Sequence, residues 1–304
     1  MTTFTDAQTM TLRDGRTLAF YEFGDPNGLP VVFTTGTPVS GTLGIGYDEA
    51  ATAAGIRWIS LDKPGYGLST YDPKRSLSRY AEDVRELADH LGLDRFAAVG
   101  ESGGGPHVYA IGRYLADRVT TIVSISGLGP GDEAWVRKEM IPFNKRLFWM
   151  AAHAPWLMSL TMAPFARAFR PGAPQAKRDA VLAKVFKQMN PQDRAVLGEN
   201  AEAIPMLLDA IAGGYAQGAK PAVQEYRLFA TPWEFRLEDI SVPTHIWHGT
   251  ADNNVPISVA RHIAGLIPNV TTHFIEGGGH SAIHHHRDEV MAAIRAAAER
   301  GLPQ

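Results

Sequence analysis

Apolar positions in the first 130 residues fall into short runs between polar turns, and the runs alternate between two periods. Gln8–Leu12 and Thr17–Phe23 gather β-formers on either side of Arg13-Asp14-Gly15-Arg16, an Asp-Gly hairpin signal. After the turn Asp25-Pro26-Asn27-Gly28 come two short apolar strands, Pro30–Phe33 and Ile56–Leu61. The period then changes. Ser76 stands as an N-cap ahead of apolar residues at Leu77, Tyr80, Val84, Leu87 and Leu91, which predicts an amphipathic helix. Phe96–Val99 and Val119–Ile125 are continuous apolar runs, the mark of strands buried on both faces. Strands alternating with helices at this spacing predict an α/β fold with a doubly wound, mostly parallel sheet.

The alternation stops at Gly127-Leu128-Gly129-Pro130-Gly131. From there to about Phe235 the pattern is helical and broken by prolines, too long for a single crossover. It predicts a helical cap, 131–235, inserted over the carboxyl edge of a core domain made of 1–130 and 236–304. The sheet resumes at Pro243–Trp247. A helix over Ile257–Ile267, a last strand over Thr271–Ile275 and a C-terminal helix over Arg287–Arg300 complete it. The cap holds six of the nine methionines and four of the six tryptophans. Most such residues at helical spacing are core, but a share is expected to line the cleft between cap and sheet, where an adaptable apolar wall suits a hydrophobic substrate.

Composition narrows the class. With 304 residues, 45% hydrophobic and 20% charged, the chain suits one large α/β domain with an insertion. A net charge of −3 and a pI near 6.4 give no footprint for nucleic acid or an anionic membrane, and the cap, with 13 basic and 10 acidic residues, adds none. There is no cysteine, hence no disulfide framework or thiolate metal site. The first ten residues lack a signal-peptide pattern and no long apolar run follows, so a soluble, cytoplasmic protein is expected.

The chemistry concentrates in Arg95–Ala110, RFAAVGESGGGPHVYA. A buried strand runs into Gly100-Glu101-Ser102-Gly103-Gly104 and then a helix pattern, the G-x-S-x-G nucleophile elbow. A turn this sharp lifts the Ser102 hydroxyl above the sheet, and glycines two positions either side leave room for the neighbouring backbone. The helix beginning at Gly103 presents free N–H groups and a positive dipole end. A serine hydroxyl needs a base to become a nucleophile. His280, in the Gly-rich loop Glu276–Ser281, and Asp252, in Gly249–Pro256, each follow a predicted strand end on the same sheet edge. In the order Ser102, Asp252, His280 they supply nucleophile, acid and base, the acid fixing the imidazole tautomer.

Asp132, shortly after the strand ending near Ser126, is the rival acid. His248 reads as structural, and His107 and His153 as satisfied core or surface histidines. His284-His285-His286 reads as a solvated helix start, because three adjacent histidines do not share one helix face and make a poor metal site. Gly103-Gly104-Gly105 lacks the spacing of a dinucleotide loop.

Taken together, PVVFTTGTP, DKPGYGLS, VGESGGG, WHGTADNNVP and EGGGHS resemble the α/β-hydrolase family in its capped, lipase-like esterase branch. The resemblance covers about residues 8–130 and 236–300, and the cap only by position. It implies backbone N–H groups of Thr37 and Gly103 as the oxyanion hole, with Ser102, Asp252 and His280 as the triad. It further implies a carboxylic ester or lactone as a small hydrophobic substrate, cleaved through an acyl-enzyme with no cofactor or metal. A serine at the elbow argues against the haloalkane dehalogenases and epoxide hydrolases, which use aspartate there. Hydrolysis of a carbon–carbon bond on the same triad remains open, as does a non-hydrolytic receptor or cyclase. The latter draws support from one departure: Thr35-Gly36 stands where the family commonly has His-Gly.

Overall fold

The predicted hairpin forms: β1 (Gln8–Thr11) pairs antiparallel with β2 (Thr17–Gly24), and Gly15 takes φ 87° in the turn between them. The structure, a computed structural model, describes residues 3–170, 172–188, 190–199 and 203–300. Six further strands follow: β3 (Leu29–Thr34), β4 (Ile56–Leu61), β5 (Phe96–Glu101), β6 (Val119–Ile125), β7 (Thr244–Gly249) and β8 (Val270–Ile275). They lie in the order β1-β2-β4-β3-β5-β6-β7-β8. Every pairing from β4 to β8 is parallel, and β2 runs against both of its neighbours. The carboxyl ends of β3, β5, β6, β7 and β8 therefore open onto one edge.

The sheet divides the apolar residues by strand parity. Val32, Ile59, Ala98 and Ile122 face one core with α2 (Leu77–His90), α3 (Gly105–Tyr114) and α11 (Ile257–Leu266). Val31, Phe33, Trp58, Val99 and Val123 face another with α1 (Asp48–Ala53) and α12 (Arg287–Arg300). Helix α2 begins as its sequence predicts, with the Ser76 side chain accepting from the Arg79 N–H. The six-residue α1 and the 3₁₀ segment Gly41–Tyr47 before it left no periodic trace, being too short to repeat an apolar face.

Between β6 and β7 the chain makes helices α4 (Ala134–Arg137), α5 (Pro142–His153), α6 (Pro155–Phe169), α7 (Gln175–Gln188), α8 (Pro191–Glu199), α9 (Ala203–Gly214) and α10 (Lys220–Ala230). Pro142, Pro155, Pro191 and Pro221 stand in first turns, where a missing N–H costs nothing, while Pro164 lies inside α6. Helix α9 closes directly on the loop after β3: the Ser40 N–H donates to the Ala210 carbonyl at 2.9 Å. A Cβ on Gly214 would sit 2.1 Å from the Pro38 oxygen, so the two backbones meet without side chains between them.

The expectation that methionine and tryptophan of this insertion share in the cleft wall needs correction. Met140, Met150, Met158 and Met162 are buried between helices, while Trp149 and Trp156 lie 56% and 67% exposed on the outside. Among the described residues of these two types in the insertion, Met206 lines the cleft. Composition could not separate an inner from an outer helix face. Among the described residues no helix is long and apolar enough to cross a membrane.

Candidate active site

Strand β5 delivers Ser102 into a left-handed turn at φ 54°, a conformation that costs a non-glycine residue roughly 1–3 kcal/mol. The chain then turns through a 3₁₀ segment, Ser102–Gly104, and α3 begins at Gly105, two residues later than the sequence pattern placed it. The flanking glycines are steric requirements. A Cβ on Gly100 would lie 2.4 Å from the Gly104 oxygen, and one on Gly104 would lie 2.1 Å from the Thr34 oxygen.

The structure brings Ser102, His280 and Asp252 into one hydrogen-bonded chain. His280 Nε2 lies 3.0 Å from Ser102 Oγ, and His280 Nδ1 lies 2.7 Å from Asp252 Oδ2. The other carboxylate oxygen of Asp252 accepts from the N–H groups of Asn254 and Val255 at 2.8 and 3.0 Å. Burial works against an imidazolium at His280, but the Asp252 carboxylate more than offsets it and lifts the pKa to about 9. Burial likewise opposes the Asp252 carboxylate, yet His280 and His248 hold its pKa below the usual range. His248 is structural in its contacts: its Nε2 lies 2.8 Å from the Val255 carbonyl and 3.3 Å from Asp252 Oδ2. Asp132 does not pair with His280; its buried Oδ1 has no hydrogen-bond partner. An acid from α8 also reaches the base loop, where Asp193 Oδ1 accepts from the Ser281 N–H at 2.7 Å.

Thr37 and Gly103 meet beside the nucleophile. A Cβ on Gly103 would lie 2.3 Å from Thr37 Oγ1 and 3.1 Å from the Thr37 nitrogen. The carbonyls of the two peptides that carry these N–H groups are both held from behind. The Ser102 carbonyl accepts from the Leu128 N–H at 3.1 Å, and the Gly36 carbonyl accepts from Lys63 Nζ at 2.7 Å. Across a trans peptide, C=O and N–H point in opposite directions, so both N–H groups face away from these anchors. The Thr35 hydroxyl, fully buried, donates to the Val39 carbonyl at 2.8 Å and ties the loop across its own turn.

A cavity of about 510 Å³ opens over Ser102 and His280. Its apolar wall comes largely from the insertion, through Phe148, Val196, Met206, Leu207 and Tyr226. One side is polar. There the Tyr47 hydroxyl donates to Glu101 at 3.0 Å, and Arg287 Nη2 donates to His284 Nδ1 at 2.7 Å. His284 therefore departs from the solvated helix start that the sequence suggested. It lines the cavity, and burial together with the Arg287 charge pushes its pKa down to about 3. Among the described residues no group of three or more His, Asp or Glu is arranged to hold a metal ion.

Sequence reasoning missed the buried network behind the Thr35–Thr37 loop, in which Lys63, Arg75 and Glu225 meet His107, a satisfied core histidine as the sequence suggested. The DKPGYGLS stretch marked Lys63 as part of a motif, but its carboxylate partner comes from α10, and no spacing in the sequence announces that.

Comparisons with known proteins agree with this fold. A family model described as alpha/beta hydrolase fold matches residues 30–286. The non-heme chloroperoxidase CPO-A1 of Kitasatospora aureofaciens is 27% identical over 292 residues, 89% of this chain and 90% of that protein. The bifunctional esterase/perhydrolase DCH of Acinetobacter calcoaceticus is 27% identical over 273 residues, 86% of this chain and 88% of that one. Among solved structures, the esterase RhEst1 from Rhodococcus sp. ECU1013 superposes with a TM-score of 0.64 at 20% identity, covering 96% of this chain and 98% of its own. With its eight-stranded sheet and with the family model spanning most of its length, the chain belongs to the α/β-hydrolase fold family.

Proposed function

We propose that the protein is a serine hydrolase that cleaves a carboxylic ester or lactone through an acyl-enzyme. The observation that carries the reading is the continuous chain from Ser102 Oγ through His280 to Asp252, at 3.0 and 2.7 Å, on a strained elbow that opens into the cavity. Ser102 Oγ attacks the carbonyl carbon while His280 Nε2 takes its proton. The carbonyl oxygen becomes an oxyanion between the N–H groups of Thr37 and Gly103. His280 then gives the proton to the departing alkoxide, and the alcohol leaves. Water, deprotonated by the same imidazole, attacks the acyl-enzyme and releases the acid and Ser102.

The cavity supports the substrate class. Its wall of Phe148, Val196, Met206, Leu207 and Tyr226 suits an apolar acyl or alkyl group, with the 131–235 segment acting as its cap. Relatives named as perhydrolase and chloroperoxidase favour a second reading on the same intermediate. In it, hydrogen peroxide replaces water and the acyl group leaves as a peracid.

The test is whether the three residues act as a unit. Ser102→Ala and His280→Ala should each remove most of kcat on a short-chain aryl ester, with the double variant little worse than either. Losses that multiply would assign the two residues independent roles and overturn the reading.

A further inference from the structure

The oxyanion loop of this protein is held by a buried ionic network that one helix of the insertion completes. Lys63 and Glu225 have side chains with no solvent exposure, and Arg75 has almost none. Lys63 Nζ donates to the carbonyls of Thr35 at 2.9 Å and Gly36 at 2.7 Å, and reaches Thr37 Oγ1 at 3.3 Å. Glu225 Oε1 accepts from Lys63 at 3.0 Å and from Arg75 at 2.6 Å. Its Oε2 accepts the hydroxyls of Thr37 and Tyr66, each at 2.5 Å. Arg75 Nη2 lies 3.1 Å from His107 Nε2, and His107 Nδ1 lies 3.0 Å from the Gly103 carbonyl, so the network touches the elbow as well as the loop. Burying charges at this depth is expensive unless they are paired, so the network is weak evidence for a purely stabilising role.

The placement of Lys63 suggests what the cost secures. Gly36 O and Thr37 N belong to the same peptide group, and a cation on the carbonyl draws electron density from the N–H at the other end. We propose that Lys63 is a positioning residue for catalysis: its ammonium aims and polarises the Thr37 N–H toward the oxyanion formed at Ser102, and Glu225 from α10 keeps it there. This rests on the hydrolase reading above and adds to it the residues that make the donor strong. The Thr37 side chain reinforces the arrangement, since its hydroxyl is turned back to Glu225 and Lys63. Burial, joined by the Arg75 charge, draws the Lys63 pKa down to about 8 against the opposing pull of Glu225, so the ammonium form prevails at neutral pH. Burial opposes charge on Glu225 too, yet Lys63 and Arg75 bring its pKa to about 2. The network thus sets two cations against one carboxylate, while burial keeps His107 neutral with a pKa of about 3.

The charge balance selects the test variant. Lys63→Met keeps an unbranched side chain only one heavy atom shorter and leaves Arg75 and Glu225 as a matched pair, so no carboxylate is stranded. Three quantities are read for the full chain and the variant: steady-state kinetics on a short-chain aryl ester, and inhibition constants for two probes. One probe is an alkyl boronic acid, which forms a tetrahedral adduct on Ser102. The other is the unreactive ether isostere of the ester. Because the donor acts on the tetrahedral state, Lys63→Met should lower kcat by roughly 10–100-fold, below the 10²–10³-fold of deleting an oxyanion donor outright. KM and ether binding should stay within about 3-fold, and boronate binding should weaken in proportion to kcat/KM. Thr37→Val, which unhooks the loop from Glu225 and keeps the N–H, should show the same selective loss at a smaller size. It serves as the test if Lys63→Met does not fold.

A folded variant with kcat and boronate affinity within 2-fold of the parent overturns the proposal. So does equal loss of boronate and ether binding, which marks collapse of the cavity. A parent protein that neither turns over the ester nor binds the boronate removes the hydrolase reading, and this inference with it.

Discussion

Replacing Asp252 by asparagine removes one charge and, in this geometry, also dictates the imidazole tautomer. Asp252 Oδ1 is fixed by the N–H groups of Asn254 and Val255, so an asparagine must place its carbonyl oxygen there. Its NH₂ group then takes the place of Oδ2, 2.7 Å from His280 Nδ1. A donor facing Nδ1 forces the ring proton onto Nε2, where it points at Ser102 and leaves no lone pair to accept the hydroxyl proton. The lost orientation and lost stabilisation of the imidazolium together cost between ~10² and ~10⁴ in kcat, or roughly 3–5 kcal/mol of barrier. The assay is kcat for a short-chain aryl ester at saturating concentration, with Asp132→Asn as the control. Asp132→Asn should be near neutral, because the structure gives its side chain no link to His280. An Asp252→Asn variant that keeps more than about a tenth of kcat would refute the tautomer argument, as would Asp132→Asn proving the more damaging change.

Other expectations follow from the same contacts. Because His280 must be neutral to accept a proton and its pKa is raised to about 9, kcat/KM should climb through an alkaline limb rather than one near 6.5. Asp252→Asn should move that limb downward; a limb that stays put would remove Asp252 as its cause. The raised pKa has a stability consequence of definite sign: the contribution of His280 is complete below about 6.5 and fades as pH rises through about 9, so the Tm advantage over His280→Gln should shrink in that window. Thr35→Val deletes the buried bond to the Val39 carbonyl and should cost about 1–2 kcal/mol of barrier, a 5- to 30-fold fall in kcat, whereas an unchanged rate would show that the hydroxyl is idle. Met206→Ala widens the cavity and should shift acyl-chain preference by an amount worth roughly 1–3 kcal/mol, while Trp156→Ala, on the outer face, should leave it alone.

The legible parts of this protein are those where local chemistry and global position coincide. The hairpin at Asp14-Gly15, the apolar runs of β3 to β6 and the elbow around Ser102 each announce themselves because their backbone geometry demands particular residues in sequence. Asp252 and His280 were readable because strand ends on a parallel sheet share an edge. The buried network was not readable, since Lys63 and Glu225 acquire their roles only when α10 folds back onto the loop after β3. Thr37 and Glu225 are 188 residues apart and are joined by one hydrogen bond. Nor could composition show which insertion residues line the cavity. A helix exposes several faces, and Met158 in the interior and Met206 in the cleft look alike until the helices pack.

The most direct measurement of the central claim is active-site labelling with a fluorophosphonate, paired with turnover. An activated serine attacks the phosphorus and displaces fluoride, leaving a tetrahedral adduct that resembles the intermediate of ester cleavage. One adduct per chain is expected, located on Ser102 by peptide mass spectrometry and abolished by His280→Ala. Hydrolysis of at least one short-chain aryl ester should accompany it, with loss of that activity in step with labelling. A folded protein that takes up no label and turns over no ester or lactone would contradict the account and favour a non-hydrolytic role for the same cavity.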